Sequence, residues 1–408
     1  MTTKFILISF ITILSVRIAA QPAVLEDSGN DASFQIDADF PGGNIKVIDI
    51  HGDSVRLQQD LRDTEGHWFY WSFRVRGAAG RKLNFEFTNG SVISSRGPAV
   101  STDGGLSWRW IGELDFPDTA FQYDFGPDED EVFFGQGMNY TEKDLHRFLN
   151  KHNNHPDLAI ETLCTSRKGR NVELIRIQNS HRTPDYKIVL LSRSHSGEMM
   201  ATRALEGLIE HVLSDTEDGR WLRNHADFFI VPFVDKDGVE DGDQGKNRRP
   251  HDHNRDYIQH IYPEISALVE RVPEWLDHKP LFFLDMHCPM HRRGRDECVH
   301  FSSHNSSMPD FEEKDKKLRQ FGTMLRTEKK GAIPKEVIFI SPNIKTESDK
   351  IALNLQNSQD WASTLPNFIL SATLEVPFAN ASGDVVDAIT AHELGYDVAH
   401  AIRVFLEN

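Results

Sequence analysis

The chain has 408 residues, enough for roughly two or three domains and for a sizeable buried core. Hydrophobic residues make up 39% and charged residues 26%, which excludes a wholly disordered chain and a membrane protein with several spans. The formal net charge of −17 repels phosphate backbones, so we expect no nucleic-acid partner.

The first twenty residues have the layout of a secretory signal peptide. Lys4 precedes the apolar run Phe5–Val16, and the small residues Ala19 and Ala20 follow. We therefore predict that residues 1–20 are removed and that the protein is secreted or periplasmic. The alternative is an uncleaved membrane anchor, but the apolar run is shorter than the ~20 residues that a span needs. After cleavage we expect no integral membrane span.

An all-β sandwich domain is predicted for residues 21–136. Short apolar runs alternate there with Gly, Asp and Asn, as in Asn44–Ile48, Trp68–Val75 and Leu83–Phe87. The acidic stretch Gly126–Glu131 then indicates a domain boundary or a solvated edge.

An α/β catalytic domain, with a mixed sheet flanked by helices, is predicted for residues 137–408. Thr141 can cap its first helix, after which apolar strands alternate with amphipathic helices. The predicted strand Lys187–Leu191 is followed by a predicted helix, Met199–Leu213. Four predicted strands end beside candidate functional residues: Lys187–Leu191, Phe228–Val231, Leu281–Leu284 and Phe368–Leu374.

Metal-binding residue types follow two of these strands. His195 and Glu198 lie in the turn after the first strand, and His287 ends the third. Two imidazoles and a carboxylate are the ligands of many catalytic zinc sites, which leave a fourth position for water. Asp285, two residues before His287, could orient a ligand. Other nearby histidines could take the place of the third ligand: His251, His253 and His291.

Two further candidates follow the remaining strands. Asn254 and Arg255 lie in the basic run after the second strand, and together they suit a carboxylate, although such a run is often only a solvated loop. Glu375 ends the fourth strand, where its carboxylate could take a proton from metal-bound water. In open α/β sheets, ligands bind at the carboxyl ends of strands, so we expect these groups to form one site.

The order of these groups resembles the zinc carboxypeptidase family typified by carboxypeptidase A. The short interval from Glu198 to His287 makes the chain more similar to the cytosolic carboxypeptidase subfamily, in which a β-sandwich precedes the catalytic domain. Trp68–Tyr70 and the segment Phe133–Thr141 also resemble that subfamily. The resemblance rests on these motifs: His195-x-x-Glu198, Asp252-x-Asn254-Arg255, His287 and Glu375.

The resemblance implies a metallocarboxypeptidase, a hydrolase that cleaves the C-terminal peptide bond of peptides or proteins and uses one zinc ion. Asn254 and Arg255 would hold the substrate α-carboxylate, and Glu375 would be the general base and then the acid to the leaving amine. A family arginine that polarises the scissile carbonyl precedes the Asn-Arg pair. The candidates are Arg248 and Arg249, and we favour Arg248. The implied zinc ligands are His195, Glu198 and His287.

Two features bear on how closely the site follows the family pattern: the active-site tyrosine and the residue at the floor of the specificity pocket. The family has a mobile active-site tyrosine well before the catalytic glutamate, but no Tyr occurs here between Tyr262 and Tyr396. Ser358–Trp361 resembles the family stretch whose second residue lies at the floor of the specificity pocket. That residue would be Gln359, which favours neither a basic nor a purely aliphatic terminal side chain.

Two other functions fit parts of the pattern. One is a zinc amidohydrolase of acyl amino acids, as in the aspartoacylase-like branch of the same fold, but the preceding β-sandwich argues against it. The other is a non-catalytic binding protein with a vestigial metal domain, and the intact Glu375 argues against that.

Overall fold

Between residues 34 and 135, the described helices and strands are all β-strands. The structure, a computed structural model, describes residues 34–340 and 356–408 apart from residues 305, 307 and 334. The predicted signal peptide, residues 1–20, lies outside the described residues. The described strands of this part are β1 (Gln35–Asp37), β2 (Lys46–His51), β3 (Ser54–Gln58), β4 (Ser72–Arg76), β5 (Lys82–Phe87), β6 (Ala99–Ser101), β7 (Arg109–Trp110), β8 (Ala120–Asp124) and β9 (Glu131–Gly135).

These strands form two sheets that pack against each other through aromatic side chains. One sheet has the order β1-β4-β9-β6-β7 and the other the order β2-β3-β5-β8. The ring of Phe85 in the second sheet lies 5.5 Å from the rings of Phe73 and Phe134 in the first. Buried and more exposed residues alternate along β3, β5 and β8, as the sequence pattern predicts for a sandwich.

The predicted strand Trp68–Val75 is wrong over its first half, because β4 begins only at Ser72. The backbone N–H groups of Phe69 and Tyr70 instead donate to Gln244 Oε1, at 3.2 and 2.8 Å. A distant side chain therefore supplies the partner that a neighbouring strand would otherwise provide.

The second part of the chain has helices on both faces of a mixed sheet, which confirms the predicted fold class. The sheet order is β10-β11-β13-β12-β14-β17-β15-β16. Its strands are β10 (Leu158–Thr165), β11 (Asn171–Ile177), β12 (Tyr186–Ser192), β13 (Ala226–Val231), β14 (Leu281–His287), β15 (Val299–Ser302), β16 (Val337–Ile340) and β17 (Phe368–Glu375). A small hairpin follows, with β18 (Asn380–Ala381) and β19 (Asp384–Val385).

The described helices connect these strands. Met199–Leu213 is helical as predicted. Thr141 is the N-cap residue of the first helix, and its backbone N–H donates to Asp144 Oδ2 at 3.0 Å. The helices are α1 (Glu142–His152), α2 (Met199–Leu213), α3 (Glu217–His225), α4 (Lys236–Asp241), α5 (Pro263–Leu276), α6 (Phe311–Glu328), α7 (Ser358–Ala362) and α8 (Ala388–Glu407). None of those in the described part of the chain has the length and apolar character needed to cross a bilayer.

Four adjacent strands of the sheet, β13, β12, β14 and β17, run parallel. Successive residues alternate between two apolar clusters, so that Ile188 and Leu190 face one side of the sheet while Val189 and Leu191 face the other. Burial on both faces explains why these strands are continuous apolar runs. Their carboxyl ends meet at one edge of the sheet.

The sandwich and the α/β part share one apolar cluster, which includes Trp71 from the first and Phe378 from the second. Polar contacts cross between them as well. Asn44 Nδ2 donates to Gly242 O at 2.7 Å, and Trp110 Nε1 donates to Val386 O at 2.7 Å. The β-sandwich is therefore packed directly against the loops and helices of the α/β part. The boundaries at residues 136 and 137 stay a prediction.

Asp218 in α3 joins three helices. Its carboxylate contacts His211 of α2 at 3.0 Å, and His400 and Arg403 of α8 at 2.9 and 2.8 Å. Burial acts to raise the pKa of Asp218, but hydrogen bonds from His211, Arg403 and His400 outweigh it and lower the pKa from 3.8 to about 2. The ionised form is therefore favoured in the folded state.

Replacement of Asp218 by Asn should lower the free energy of unfolding by about 1 kcal/mol near neutral pH, because the charged contacts between helices are weakened. A depressed folded-state pKa contributes stability above the unfolded pKa of 3.8, and that contribution is lost as the pH falls towards about 2. Urea unfolding of both proteins at pH 7 and pH 2.5 measures this. A difference that does not shrink at pH 2.5 would contradict the ionic explanation.

The exposed pair of Asp53 with Arg81 offers a matched control, since it joins surface loops and not helices. Asp53→Asn should change the free energy of unfolding by less than about 0.5 kcal/mol at either pH.

Candidate active site

His195 and Glu198 are held by a tight turn between β12 and α2. The fully buried Arg193 has a left-handed backbone (φ 58°) and donates from Nε to Ser196 O at 2.6 Å. Gly245 approaches the same turn so closely that a Cβ atom there would lie 2.3 Å from the Ser196 backbone nitrogen. These contacts fix the turn in the conformation that directs both side chains inward.

The structure brings His195, Glu198 and His287 together. His195 Nδ1 lies 3.0 Å from Glu198 Oε1, His287 Nδ1 lies 2.8 Å from Glu198 Oε2, and the two Nδ1 atoms are 3.2 Å apart. Ligands on a tetrahedral zinc ion with ~2.0–2.1 Å bonds are separated by roughly 3.3 Å. The three donors therefore fit one zinc ion.

A carboxylate orients the His287 imidazole, and a second carboxylate lies near that of His195. Asp285 Oδ2 lies 2.9 Å from His287 Nε2, and Asp252 Oδ1 lies 3.6 Å from His195 Nε2. A carboxylate beside Nε2 keeps the proton on that nitrogen and leaves the Nδ1 lone pair for a metal. Burial acts to lower the pKa of His287, but Asp285 and Glu198 raise it well above its usual value, so protons compete with a metal for this ligand. The suggested orienting role of Asp285 agrees with this geometry.

The carboxylate of Glu198 is completely buried. Lys246 Nζ lies 2.7 Å from its Oε1 atom. Burial alone acts to raise the pKa of the Glu198 carboxyl, but the Lys246 ammonium and the imidazoles of His195 and His287 hold that pKa well below its usual range. The same pairing has the reverse effect on Lys246, whose pKa burial acts to lower but Glu198 and Glu375 raise. Glu198 is therefore ionised, as a carboxylate must be to bind a metal.

Glu375 lies beside the cluster because of strand register. It is the residue paired with His287 on the neighbouring parallel strand, so both side chains leave the sheet at the same level. Its Oε2 atom is buried and has no hydrogen-bond partner among the described residues. An unpartnered carboxylate oxygen beside the metal ligands is placed to take a proton from a bound water.

A cleft of about 500 Å³ opens over these groups, and polar side chains dominate its lining. Asn254 and Arg255 lie in a short 3-10 turn, where Ser358 N donates to Asn254 Oδ1 at 3.0 Å and Arg255 donates to Asn254 O at 2.8 Å. Gln359 lies in the same cleft and donates to Ser302 O at 3.2 Å. The predicted carboxylate-binding and specificity residues therefore share one cleft with the metal ligands.

The two arginine candidates have different surroundings. Arg248 lines the cleft, but its guanidinium contacts three carboxylates: Asp235 at 2.6 Å, Asp243 at 2.8 Å and Asp63 at 3.0 Å. The Arg249 side chain is 82% exposed and pairs with Glu65 outside the cleft lining.

The sequence did not assign Lys246 or Trp68 to the site, but both line the cleft. Lys246 belongs to a basic run that resembles a solvated loop, yet its side chain is only 17% exposed. Trp68 comes from the segment predicted as a strand, and it lines the cleft from the sandwich side. Lys246 comes shortly before the Asn-Arg pair, and Trp68 lies in the segment Trp68–Tyr70 that resembles the cytosolic carboxypeptidase subfamily, but neither signal indicated a place in the cleft.

The alternative histidines do not join the metal cluster in the described part of the chain. His251 Nε2 instead lies 2.7 Å from Asp256, and the ring of His253 stacks on that of Tyr262. His291 packs on Phe69, and burial together with nearby cations lowers its pKa to about 3. A second group of possible ligands exists at Glu142, His146 and Glu173, but the Lys236 ammonium lies between its carboxylates, at 2.6 Å from Glu142 and 2.8 Å from Glu173.

Family models match most of the described chain. The model for zinc carboxypeptidase matches residues 145–383, and that for the cytosolic carboxypeptidase N-terminal domain matches residues 36–134. Human cytosolic carboxypeptidase 2 is 24% identical over 321 residues, which cover 68% of this chain and 35% of the human protein. An uncharacterized protein of Zymomonas mobilis is 28% identical over 255 residues, which cover 60% of this chain and 63% of that protein. The chain thus matches less than two thirds of the length of these relatives.

Solved structures of bacterial metallo-carboxypeptidases share the fold of nearly the whole chain. The protein from Burkholderia cenocepacia has a TM-score of 0.74 at 21% identity, and the match covers 92% of this chain and 99% of that one. The protein from Pseudomonas aeruginosa, solved in complex with (2-guanidinoethylmercapto)succinic acid, has a TM-score of 0.73 at 24% identity, with coverages of 91% and 99%.

Replacement of His287 by Ala should reduce zinc affinity by more than about 100-fold, since loss of an outer-shell partner alone typically costs ~10–100-fold. Equilibrium dialysis followed by elemental analysis measures it. His291→Asn is the matched control, because His291 is also buried but does not contact the cluster, and its zinc affinity should be unchanged. Equal zinc binding by both variants would contradict the assignment of His287.

Proposed function

Because this chain belongs to the zinc carboxypeptidase family, we propose that it hydrolyses the C-terminal peptide bond of peptides or proteins with one zinc ion. The observation that carries this proposal is the common cleft. Three converging metal donors, a carboxylate at the same level of the sheet, and an Asn-Arg pair all line it. This combination suits the hydrolysis of a bond next to a free carboxylate.

Each step of the proposed hydrolysis can be assigned to residues of the cleft. A zinc ion held by the three ligands would polarise the scissile carbonyl and acidify a bound water. Glu375 takes a proton from that water and returns it to the leaving amine. Asn254 and Arg255 bind the terminal carboxylate, for which a guanidinium with a neighbouring amide is well suited. A cleft of about 500 Å³ can hold the last residues of a peptide.

The part of the cleft around Gln359 would suit a substrate whose terminal side chain is neutral and polar. Gln359 is almost fully buried, and the neighbouring Ser302, Ser303 and Thr373 add hydroxyl groups to the cleft lining. None of these four side chains carries a charge, so a basic terminus would find no counter-ion among them. The buried Ser303 Oγ has no hydrogen-bond partner among the described residues, which leaves it for a substrate group.

The site of action stays a prediction. The first twenty residues favour export, and on that basis we propose that extracellular or periplasmic peptides are the substrates.

Glu375→Gln should lower kcat for release of C-terminal residues by about 10²–10⁴-fold, because the amide cannot accept the proton of water. A chelator should abolish release by the wild-type protein, and added zinc should restore it. The measurement uses a panel of peptides that differ only in the terminal residue, with mass spectrometry of the products.

Glu86→Gln, an exposed change on β5, is the matched control and should retain wild-type activity. Absence of released residues from every peptide would contradict the proposal. Release of acyl groups from acyl amino acids, without cleavage of peptides, would instead support the amidohydrolase alternative.

Gln359→Glu should shift preference towards basic C-terminal residues, since it adds a negative charge with little change in volume. The ratio of kcat/KM for terminal Lys to that for terminal Gln should rise by about 10-fold or more. Gln122→Glu, exposed in the sandwich, is the control and should leave the ratio unchanged. A wild-type preference for Lys or Arg would show that the neutral pocket has been assigned wrongly.

A further inference from the structure

Three cationic residues closely precede the Asn254–Arg255 pair, and their side chains have different surroundings: Lys246, Arg248 and Arg249. A cation that stabilises the scissile carbonyl must lie close to both the metal ligands and Glu375. Lys246 Nζ lies 2.7 Å from the metal-ligand candidate Glu198 and donates to Cys288 O, next to His287, at 3.3 Å. The side chain also lines the cleft. Of the three, it is the one that contacts the metal cluster.

Arg248 is poorly suited to the same task. Its three nitrogens contact the carboxylates of Asp63, Asp235 and Asp243, so its charge is already neutralised. Asp235 is buried, and removal of the guanidinium would leave that carboxylate without its closest counter-ion. Breaking a buried ion pair in this way is strongly unfavourable. Although Arg248 lines the cleft, its guanidinium is therefore committed to the three carboxylates that organise the loop.

Backbone contacts hold the segment of Lys246 against the turn that carries His195 and Glu198. The preceding Gly245 has a left-handed backbone (φ 80°), and Gly197 N donates to Gln244 O at 3.1 Å, which ties this segment to the metal-binding turn. The Trp68 ring centre lies 5.9 Å from Lys246 Nζ. The ammonium is thus close to both a metal-ligand candidate and an aromatic ring.

We propose that Lys246, and not Arg248, donates the hydrogen bond that stabilises the oxyanion formed on the scissile carbonyl. This inference rests on the proposed function. The Glu198 carboxylate would then be shared between Lys246 and a bound metal ion, so that the ammonium is only partly neutralised. A fixed cation in a partly enclosed cleft is worth more than one in water, because the local dielectric is low.

Hydrolysis requires no covalent bond to Lys246. The water oxygen adds to the carbonyl carbon while Glu375 takes a water proton, and the π electron pair moves to the carbonyl oxygen. The tetrahedral species then re-forms the C=O bond as the C–N bond breaks, and the departing nitrogen takes the proton from Glu375. Lys246 keeps its protons and only donates a hydrogen bond.

The test compares Lys246→Met, Lys246→Arg and wild type, each with measured zinc content. Lys246→Met should lose about 10²–10³-fold in kcat, with KM changed less than about 3-fold. Binding of a phosphonate peptide analogue, which mimics the tetrahedral species, should weaken by a similar factor in calorimetry, while a free terminal amino acid binds as before. Lys246→Arg should recover part of both losses. Lys168→Met, which removes a surface pair with Asp241, is the control.

Several results would overturn the proposal. If Lys246→Met retains kcat, or if its loss is restored by excess zinc, the lysine only supports Glu198. If Arg248→Lys loses kcat at unchanged zinc content and unfolding midpoint while Lys246→Met retains it, Arg248 polarises the carbonyl. Inactive wild-type protein overturns both this proposal and the proposed function, whereas active wild type with an equally active Lys246→Met variant overturns this one alone.

Discussion

The burial of the Glu198 carboxylate is the constraint on which the site depends. An ionised carboxylate with no access to water is strongly unfavourable unless cations or hydrogen-bond donors surround it. Here two imidazole nitrogens and the Lys246 ammonium supply that surrounding. The turn after β12, the end of β14 and the loop after β13 must therefore all be in place before the carboxylate can be buried. The site and the fold around it are consequently formed together.

The sheet explains why so few residues are needed to build the cleft. Parallel strands in register deliver His287 and Glu375 to the same level of one edge, and no flexible loop has to hold them in position. The tight turn after β12 adds His195 and Glu198, while Asn254 and Gln359 lie in a 3-10 turn and at the start of α7. Strands and short, well-anchored turns thus hold the candidate functional groups, an arrangement that is common in α/β enzymes.

Much of this arrangement could be predicted from the sequence because its determinants are local. Continuous apolar runs mark strands buried on both faces, and the polar residue that ends each run marks the edge where ligands bind. Lys246 could not be assigned in this way, since its role depends on a carboxylate that lies far away in the sequence. The same is true of Arg248, one of whose three acidic partners, Asp63, comes from the sandwich. The segment Trp68–Trp71 was misassigned because aromatic residues favour strands, whereas its backbone partner is the distant side chain of Gln244.

The contacts between the two parts of the chain have an evolutionary consequence. Asp63 binds Arg248, Trp68 lines the cleft, and Asn44 and Trp110 bond to backbone carbonyls of the α/β part. A sandwich taken from another protein would have to supply all of these groups at once. Gene fusion or domain shuffling could therefore not replace the sandwich without damage to the site beneath it, and the two parts are expected to be inherited as a single unit.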